Sequence, residues 1–458
     1  MTTPDASEAP PVPADRPFPK ALLLFAFLAV VLLRIPNVLL HGRFFGEEGT
    51  YFFAYAWHMG WREALFHPLG GYLNVVASGG TLLAKELVTG GLIPLEAAPW
   101  VTALIALAFQ LCPALLIVFA RDAWLAPRLA KPAALLLIAA APMAHEVWLH
   151  TLHSQFHLTI CIALIIACEV PASTRARAFR LGLLLLAPLC GPSAIVLLPF
   201  LGLRALMERS RARWLELSAL TLGAAVQLLV FYYPVVVRGH SLMPGTLAAL
   251  LFVRHAVLPL AGPFAAKDVG FAVFQTVRED GAGFPVMLAA AVTFGALLFV
   301  CLRRWRQPAA WLVAPALLLA SVSYFGAIAK PASLLLPLVG ERYSFVPNVM
   351  IGLALIALAT TAGGRLAKGA TALVLVEVLV AVVFFSGPKA EMTDGPSWQG
   401  EVAAWRADPQ HRLRIWPGGW TVDLAPNSPR CPALATAADP EYCDGAWEAM
   451  EKRSLQAM

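Results

Sequence analysis

Charge is what this 458-residue sequence has least of: Asp, Glu, Lys and Arg together make up 14% of it, while 59% is hydrophobic. A soluble domain carries about 25% charged and about 45–50% apolar residues. A soluble enzyme, a disordered chain and a secreted disulfide scaffold are therefore excluded. Cysteine is also scarce, seven in all, and there is no CxxC redox pair, zinc site, P-loop or Rossmann glycine pattern. No internal repeat occurs, which argues against a transporter built from inverted halves. The net charge of +6 is scattered in short clusters between apolar runs. With no basic groove and no interleaved aromatics, a nucleic-acid partner is not expected. The mean hydropathy of +0.70 points to a polytopic membrane protein.

A helix needs about 20 apolar residues to cross the ~30 Å hydrocarbon layer. Residues 1–20 are polar and proline-rich and read as a disordered cytoplasmic tail. Apolar runs follow at 21–40, 98–120, 132–144, 155–170, 181–206, 214–236, 284–302, 309–328, 344–362 and 369–386. The run 181–206 has basic residues at both ends and Cys190-Gly191-Pro192-Ser193 in its middle. Two short helices meeting at that break fit it better than one long span. The run 246–262 reads as re-entrant or interfacial. The expectation is an all-α transmembrane domain over 21–386 with about eleven transmembrane helices.

Compact basic loops (Arg121/Arg128/Lys131, Arg175/Arg177/Arg180, Arg303/Arg304/Arg306, Arg365/Lys368) set the N-terminus inside and the C-terminus outside. The long segments are then all external: a first loop at 41–97, a loop at 237–283 and a small tail at 387–458. The functional face is expected there. Cys112, Cys161, Cys168, Cys190 and Cys301 fall in or beside spans, where a thiol behaves as a small hydrophobe. Cys431 and Cys443 stand alone in the polar tail, where an oxidising compartment permits a disulfide.

The richest stretch of polar residues follows the first span: Phe44-Phe45-Gly46-Glu47-Glu48-Gly49-Thr50-Tyr51, continuing through His58, Trp61, His67 and Gly71-Tyr72. A carboxylate held at a membrane–water interface among aromatics is partly desolvated, and its pKa rises toward the range of a general base. The plainer alternative is an acidic turn capping the next helix.

Glu47-Glu48-Gly49-Thr50-Tyr51, placed just after the first span, resembles the acidic first-loop signature of the GT-C superfamily. These are multi-span glycosyltransferases that use polyprenyl-phosphate-linked sugars. Gly70-Gly71-Tyr72-Leu73 resembles a Pro-x-x-Gly-Tyr-Leu stretch of bacterial members, and Arg342-Tyr343-x-x-x-Pro347 resembles their late-span motifs. The chain carries Glu where the family often has Asp, so either Glu47 or Glu48 is the base the resemblance implies.

Four of the ten histidines lie in His145-Glu146-Val147-Trp148-Leu149-His150-Thr151-Leu152-His153-Ser154-Gln155-Phe156-His157. On a helix His153 and His157 share a face with His150 one turn earlier. With Glu146 they permit a divalent cation such as Mg or Mn, hydrogen bonds to phosphate or sugar, or simple helix capping. Arg342 suits a bidentate grip on phosphate, or an interfacial anchor with Tyr343. Arg254, His255 and Lys330 are further candidates on the same face.

Arg34 and Glu377 lie within spans. Arg34 is near enough to the outer side to snorkel, while Glu377 either pairs within the bundle or is protonated. Gln110 and Gln227 suit helix–helix hydrogen bonds. In the tail, Trp398, Trp405, Trp416 and Trp420 suit either a small packed core or a sugar-stacking surface.

The resemblance implies an inverting transfer of a sugar from a polyprenyl-phosphate donor to a glycan, lipid or protein acceptor. The setting it implies is the outer face of a bacterial inner membrane. Tyr51, His67, Tyr72, His150, His153, His157, Arg254, Lys330, Arg342 and Tyr343 are the expected substrate contacts. A lipid-linked glycan transporter or polymerase, and a non-catalytic envelope assembly protein, are the alternatives.

Overall fold

The computed structural model describes residues 18–142, 145–232, 244–279, 284–327, 331–336, 339–388 and 395–425. Lys330, Cys431 and Cys443 lie outside them. The chain is overwhelmingly helical, and the one sheet among the described residues is an antiparallel pair, β1 (Leu413–Ile415) and β2 (Trp420–Val422).

Among the described residues, six helices are long and apolar enough to cross a membrane: Leu95–Phe119, Arg211–Val230, Pro244–Gln275, Phe284–Leu302, Glu341–Thr361 and Gly364–Phe385. Ala130–Ala139, Ser154–Ala167 and Ala310–Phe325 are shorter apolar helices. These are fewer full-length spans than the eleven expected from composition. The run 21–40 is divided at Ile35-Pro36 into helices Lys20–Arg34 and Pro36–His41, because proline cannot supply the amide that continues the ladder.

The break expected near Cys190-Gly191-Pro192 is present. Short 3₁₀ turns on either side of Gly191 separate the helices Thr174–Leu186 and Leu198–Glu208. A Cβ at Gly191 would lie 1.8 Å from Oε1 of Gln155, so a larger residue there requires that side chain to move. The segment expected as a re-entrant loop is instead a long helical stretch from Pro244. It runs through a π turn at Val253–Val257 and a kink at Gly262-Pro263.

Two helices form the centre. Every residue of Ser154–Ala167 is buried, as is Glu341–Thr361 from Ser344 to Leu358. A helix that is apolar all round belongs in the interior. The peripheral helices instead expose Phe284, Val292, Phe299, Leu375 and Leu379, which suits contact with lipid.

Apart from Glu377 and the His255–Asn348–Tyr324 group, most buried polar residues lie at the two ends of the bundle. At one end Arg180 and Arg213 donate to the carbonyls of Ile165 and Cys168, which close the helix Ser154–Ala167 and have no partner within it. Glu216 bridges the two guanidiniums, at 2.8 Å from Arg180 and 2.9 Å from Arg213. Lys131 bonds the carbonyls of Val118 and Ala120 at the close of the neighbouring helix.

The opposite end carries the first loop, the His150 segment, the start of Glu341–Thr361 and the described part of the tail. Arg34 does not snorkel. It is fully buried and donates to the carbonyl of Ala139, one of the unpaired carbonyls at the end of Ala130–Ala139. Gln110 and Gln227 do not join helices. Gln110 bonds the backbone of Val147, Leu149 and His150, and Gln227 bonds both the amide and the carbonyl of Leu73. Each fixes a loop at this end.

Residues 395–425 form a helix, Trp398–Ala407, and the β1–β2 hairpin. Both pack on the first loop through Phe44, Tyr51, Phe53, Trp398, Val402, Ile415, Trp420 and Val422. Trp398, Trp416 and Trp420 are at most 9% exposed, so they serve as core. The indole N–H of Trp398 donates to the carbonyl of Leu95. Arg406 forks onto the Glu96 carboxylate. The five cysteines within the bundle are buried free thiols.

Candidate functional site

The two glutamates sit where the chain turns from the first helices into the outer loop. Gly42 and Gly46 have φ of 63° and 47°, which a side chain adopts only under strain. They let Phe44–Gly46 pair with Trp416, whose amide donates to the carbonyl of Phe44 and whose carbonyl accepts from Gly46. The residues that follow, Glu48–Phe53, form a π turn, a distortion that clusters at functional sites. The hydroxyl of Thr50 donates to the carbonyl of Thr421, and His58 meets that of Asp423. Gly49 is pressed beneath β1 and β2, and a Cβ on it would lie 2.6 Å from Ile415 Cδ1.

The adjacent carboxylates face different surroundings. Glu48 is fully buried, and its Oε1 accepts from both the amide of Thr151 (2.6 Å) and its hydroxyl. Its Oε2 has no hydrogen-bond partner among the described residues. Burial pushes the Glu48 pKa up to about 7, against the opposing pull of Thr151 and Arg43. Glu47 is half-buried. Burial raises its pKa too, while the Arg342 guanidinium lowers it and Glu146 raises it further.

Glu146 accepts from the amide of Arg342 at 2.6 Å, and Arg342 Nη1 lies 3.5 Å from its other oxygen. The Arg342 guanidinium also stands over the Tyr343 ring. Glu47, Glu146 and Arg342 thus form one group on the partly open side, and Glu48, Thr151 and Arg43 another on the sealed side.

The histidines lock the segment between them. His150 Nε2 and His153 Nδ1 both donate to the backbone carbonyl of Glu146. His157 Nδ1 lies 3.4 Å from the carbonyl of His153. Burial pushes His150 down to about 3 and His153 well below its ordinary value, so both rings are neutral. Phe45 stacks on His150 with centroids 4.5 Å apart.

The groups expected to hold a divalent cation are engaged as follows. One carbonyl fixes both rings, Arg342 occupies the Glu146 carboxylate, and among the described residues no three His, Cys, Asp or Glu side chains come together in a metal-holding group.

Other expected contacts are placed further off. Tyr51 packs on Tyr55 and Trp420. His67 is half-buried against Tyr55, with burial lowering its pKa. Tyr72 is half-buried in a tight turn paired with Leu69. Arg254 is spent on the carbonyls of Leu334, Leu336 and Val339. His255 joins Asn348 (2.6 Å) and Tyr324 (2.8 Å) inside the bundle.

Arg43 and Thr151 were not singled out by the sequence, whereas Trp416 was noted only as one of the tail aromatics. Arg43 had one signal, a cation between the end of a span and a carboxylate motif. Thr151 had none. Comparison with protein-family models, with curated proteins and with solved structures gives no match.

Proposed function

We propose that this chain is a membrane glycosyltransferase that moves a sugar from a polyprenyl-phosphate donor to an acceptor hydroxyl on the outer side of a bacterial inner membrane. The observation that carries this reading is the pair of carboxylates at the head of the first loop. Burial raises the pKa of both, that of Glu48 to about 7, and each feels the charge of a guanidinium.

Glu47 is the base in this reading, because it is the one with an open face. Its carboxylate takes the proton of the acceptor hydroxyl as that oxygen bonds to the anomeric carbon. The bond from that carbon to the phosphate oxygen breaks on the opposite face, its electron pair stays on the phosphate, and the configuration inverts. A base is required because a protonated sugar hydroxyl is a poor nucleophile. A cation at the leaving phosphate stabilises the charge that develops there. The charge of Arg342 favours the ionised form of Glu47, and through Glu146 it holds the histidine segment in place.

The basic end of the bundle would face the cytoplasm, as positive charge does in membrane proteins. A transporter would need ionisable groups along a path through the bundle. Most polar side chains here crowd the two ends, and those inside the bundle are few: His255 with Asn348 and Tyr324, and Glu377.

The test is a mass-spectrometric profile of envelope glycans and polyprenyl-phosphate sugars. It compares wild type, a deletion strain, and the deletion complemented with Glu47→Gln protein at normal level. The expected result is loss of one sugar from a glycan with its lipid donor accumulating, and no rescue by the variant. An unchanged profile in the deletion strain overturns the reading, and full rescue by Glu47→Gln removes Glu47 from the chemistry.

A further inference from the structure

Among the described residues, every buried arginine but one is hydrogen-bonded to the protein. Arg34, Arg180, Arg213 and Arg254 each donate to a backbone carbonyl or a carboxylate. Arg43 is 3% exposed, and none of its three nitrogens has a hydrogen-bond partner among the described residues. Only ring faces meet it: Phe45 at 5.0 Å and Trp416 at 5.1 Å from their centroids. A guanidinium presents five N–H donors in a fixed fork, and burying it unpaired is unfavourable.

Glu48, whose charge acts on Arg43, and His150, which stacks on the same Phe45 ring that Arg43 covers, are half-used in the same way. Glu48 Oε1 is saturated by Thr151 while Oε2 is idle. His150 Nε2 carries its proton toward the Glu146 carbonyl, which leaves Nδ1 as a lone-pair acceptor with no partner. One cluster therefore offers a rigid cationic fork and two separate acceptors. An inorganic anion such as chloride satisfies only the fork. A phosphorylated sugar satisfies all three, with phosphate oxygens for Arg43 and hydroxyl donors for the carboxylate and the imidazole.

We infer that Arg43, Glu48 Oε2 and His150 Nδ1 form the subsite for the sugar-phosphate end of a prenyl-linked donor, with Trp416 of the C-terminal hairpin covering the guanidinium. The identity of the ligand rests on the glycosyltransferase reading, whereas the demand for an anion with hydroxyl donors rests on the unpaired atoms alone. Glu47 and Arg342 then serve the acceptor side, and Arg43 takes the leaving phosphate.

The test measures equilibrium binding of farnesyl phosphate, farnesol and inorganic phosphate to the full-length protein in phosphatidylcholine nanodiscs. Wild type, Arg43→Met, Arg43→Lys and Glu48→Gln are compared. Wild type is expected to prefer farnesyl phosphate to farnesol, and Arg43→Met to bind the phosphate at least ten-fold more weakly with farnesol unchanged. Arg43→Lys, which keeps the charge without the fork, falls between them, and it supplies the answer if Arg43→Met does not fold. The melting temperature of Arg43→Met is expected to be no lower than that of wild type, since an unpaired buried cation is removed; a purely structural arginine would lower it.

Wild-type affinity in both Arg43 variants overturns the inference, as does equal binding of inorganic phosphate and farnesyl phosphate by wild type. Arg43-dependent binding together with an unchanged glycan profile in the deletion strain keeps the subsite and sinks the glycosyltransferase reading. A lost sugar together with normal binding in the Arg43 variants does the reverse.

Discussion

Replacing Glu48 by Gln changes the pH dependence of stability in a way that isolates one buried proton. The Gln oxygen still accepts from the amide and hydroxyl of Thr151, so the local hydrogen bonds survive. In the folded protein the Glu48 carboxyl ionises near pH 7, and its ordinary value is 4.5. Below pH 4.5 both states hold the proton and the group contributes no difference. Between 4.5 and 7 the unfolded chain loses the proton while the folded protein keeps it, so wild type weakens as pH rises. Above 7 the loss levels off at about 3 kcal/mol. The variant lacks this term.

The difference in melting temperature, variant minus wild type, should therefore grow from pH 4.5 to pH 7 and then stay flat. Thermal unfolding in detergent at fixed salt, from pH 4 to pH 8, measures it. A difference that stays constant across that range would refute the assignment of a buried, protonatable Glu48.

Three further outcomes are expected. Thr151→Val removes the hydroxyl bond that stabilises the ionised Glu48, so the pH-dependent stability difference between this variant and its Glu48→Gln double should extend above pH 7. Gly49→Ala drives a methyl group into Ile415, Phe44 and Val422. At about 1–3 kcal/mol for overpacking it should loosen the hairpin, seen as faster limited proteolysis after Trp398 with the membrane core intact. Arg213→Met leaves Glu208 and Glu216 without their shared guanidinium. Glu216 keeps Arg180 and Glu208 keeps Arg204, so the main loss is the partner of the Cys168 carbonyl, at about 1–3 kcal/mol for an unsatisfied buried acceptor, which a lowered melting temperature at every pH would register.

Membrane character was legible because composition fixes it. A chain with 14% charged residues has too few to cover a soluble surface. The break at Gly191 was legible for a local reason, a Gly-Pro pair in mid-run. The Glu47-Glu48 pair stood out by its place after the first apolar run. What sequence could not supply was partnership across the chain. Thr151 meets Glu48 over 103 positions, and Thr50 meets Thr421 over 371. Neither threonine looks different from any other in the sequence. Among the described residues six helices have full spanning length, since hydropathy counts apolar length whereas prolines such as Pro36 divide that length into shorter helices. Arg34 was expected to reach outward, but the unpaired carbonyl of Ala139 gave it a nearer partner inside.

The pairing of Phe44–Gly46 with Trp416 also sets an order of assembly. The glutamates are synthesised early, yet the strands that press on Gly49 and the ring that covers Arg43 are made some 370 residues later. A nascent chain can thread all its apolar helices into the membrane while Glu48 is still incompletely enclosed. Contacts this distant in sequence form slowly, because a long loop must close before they do. The ribosome must pass Val422 before the cluster can be sealed, so a chain cut short before the hairpin would carry its glutamates without the enclosure that tunes them.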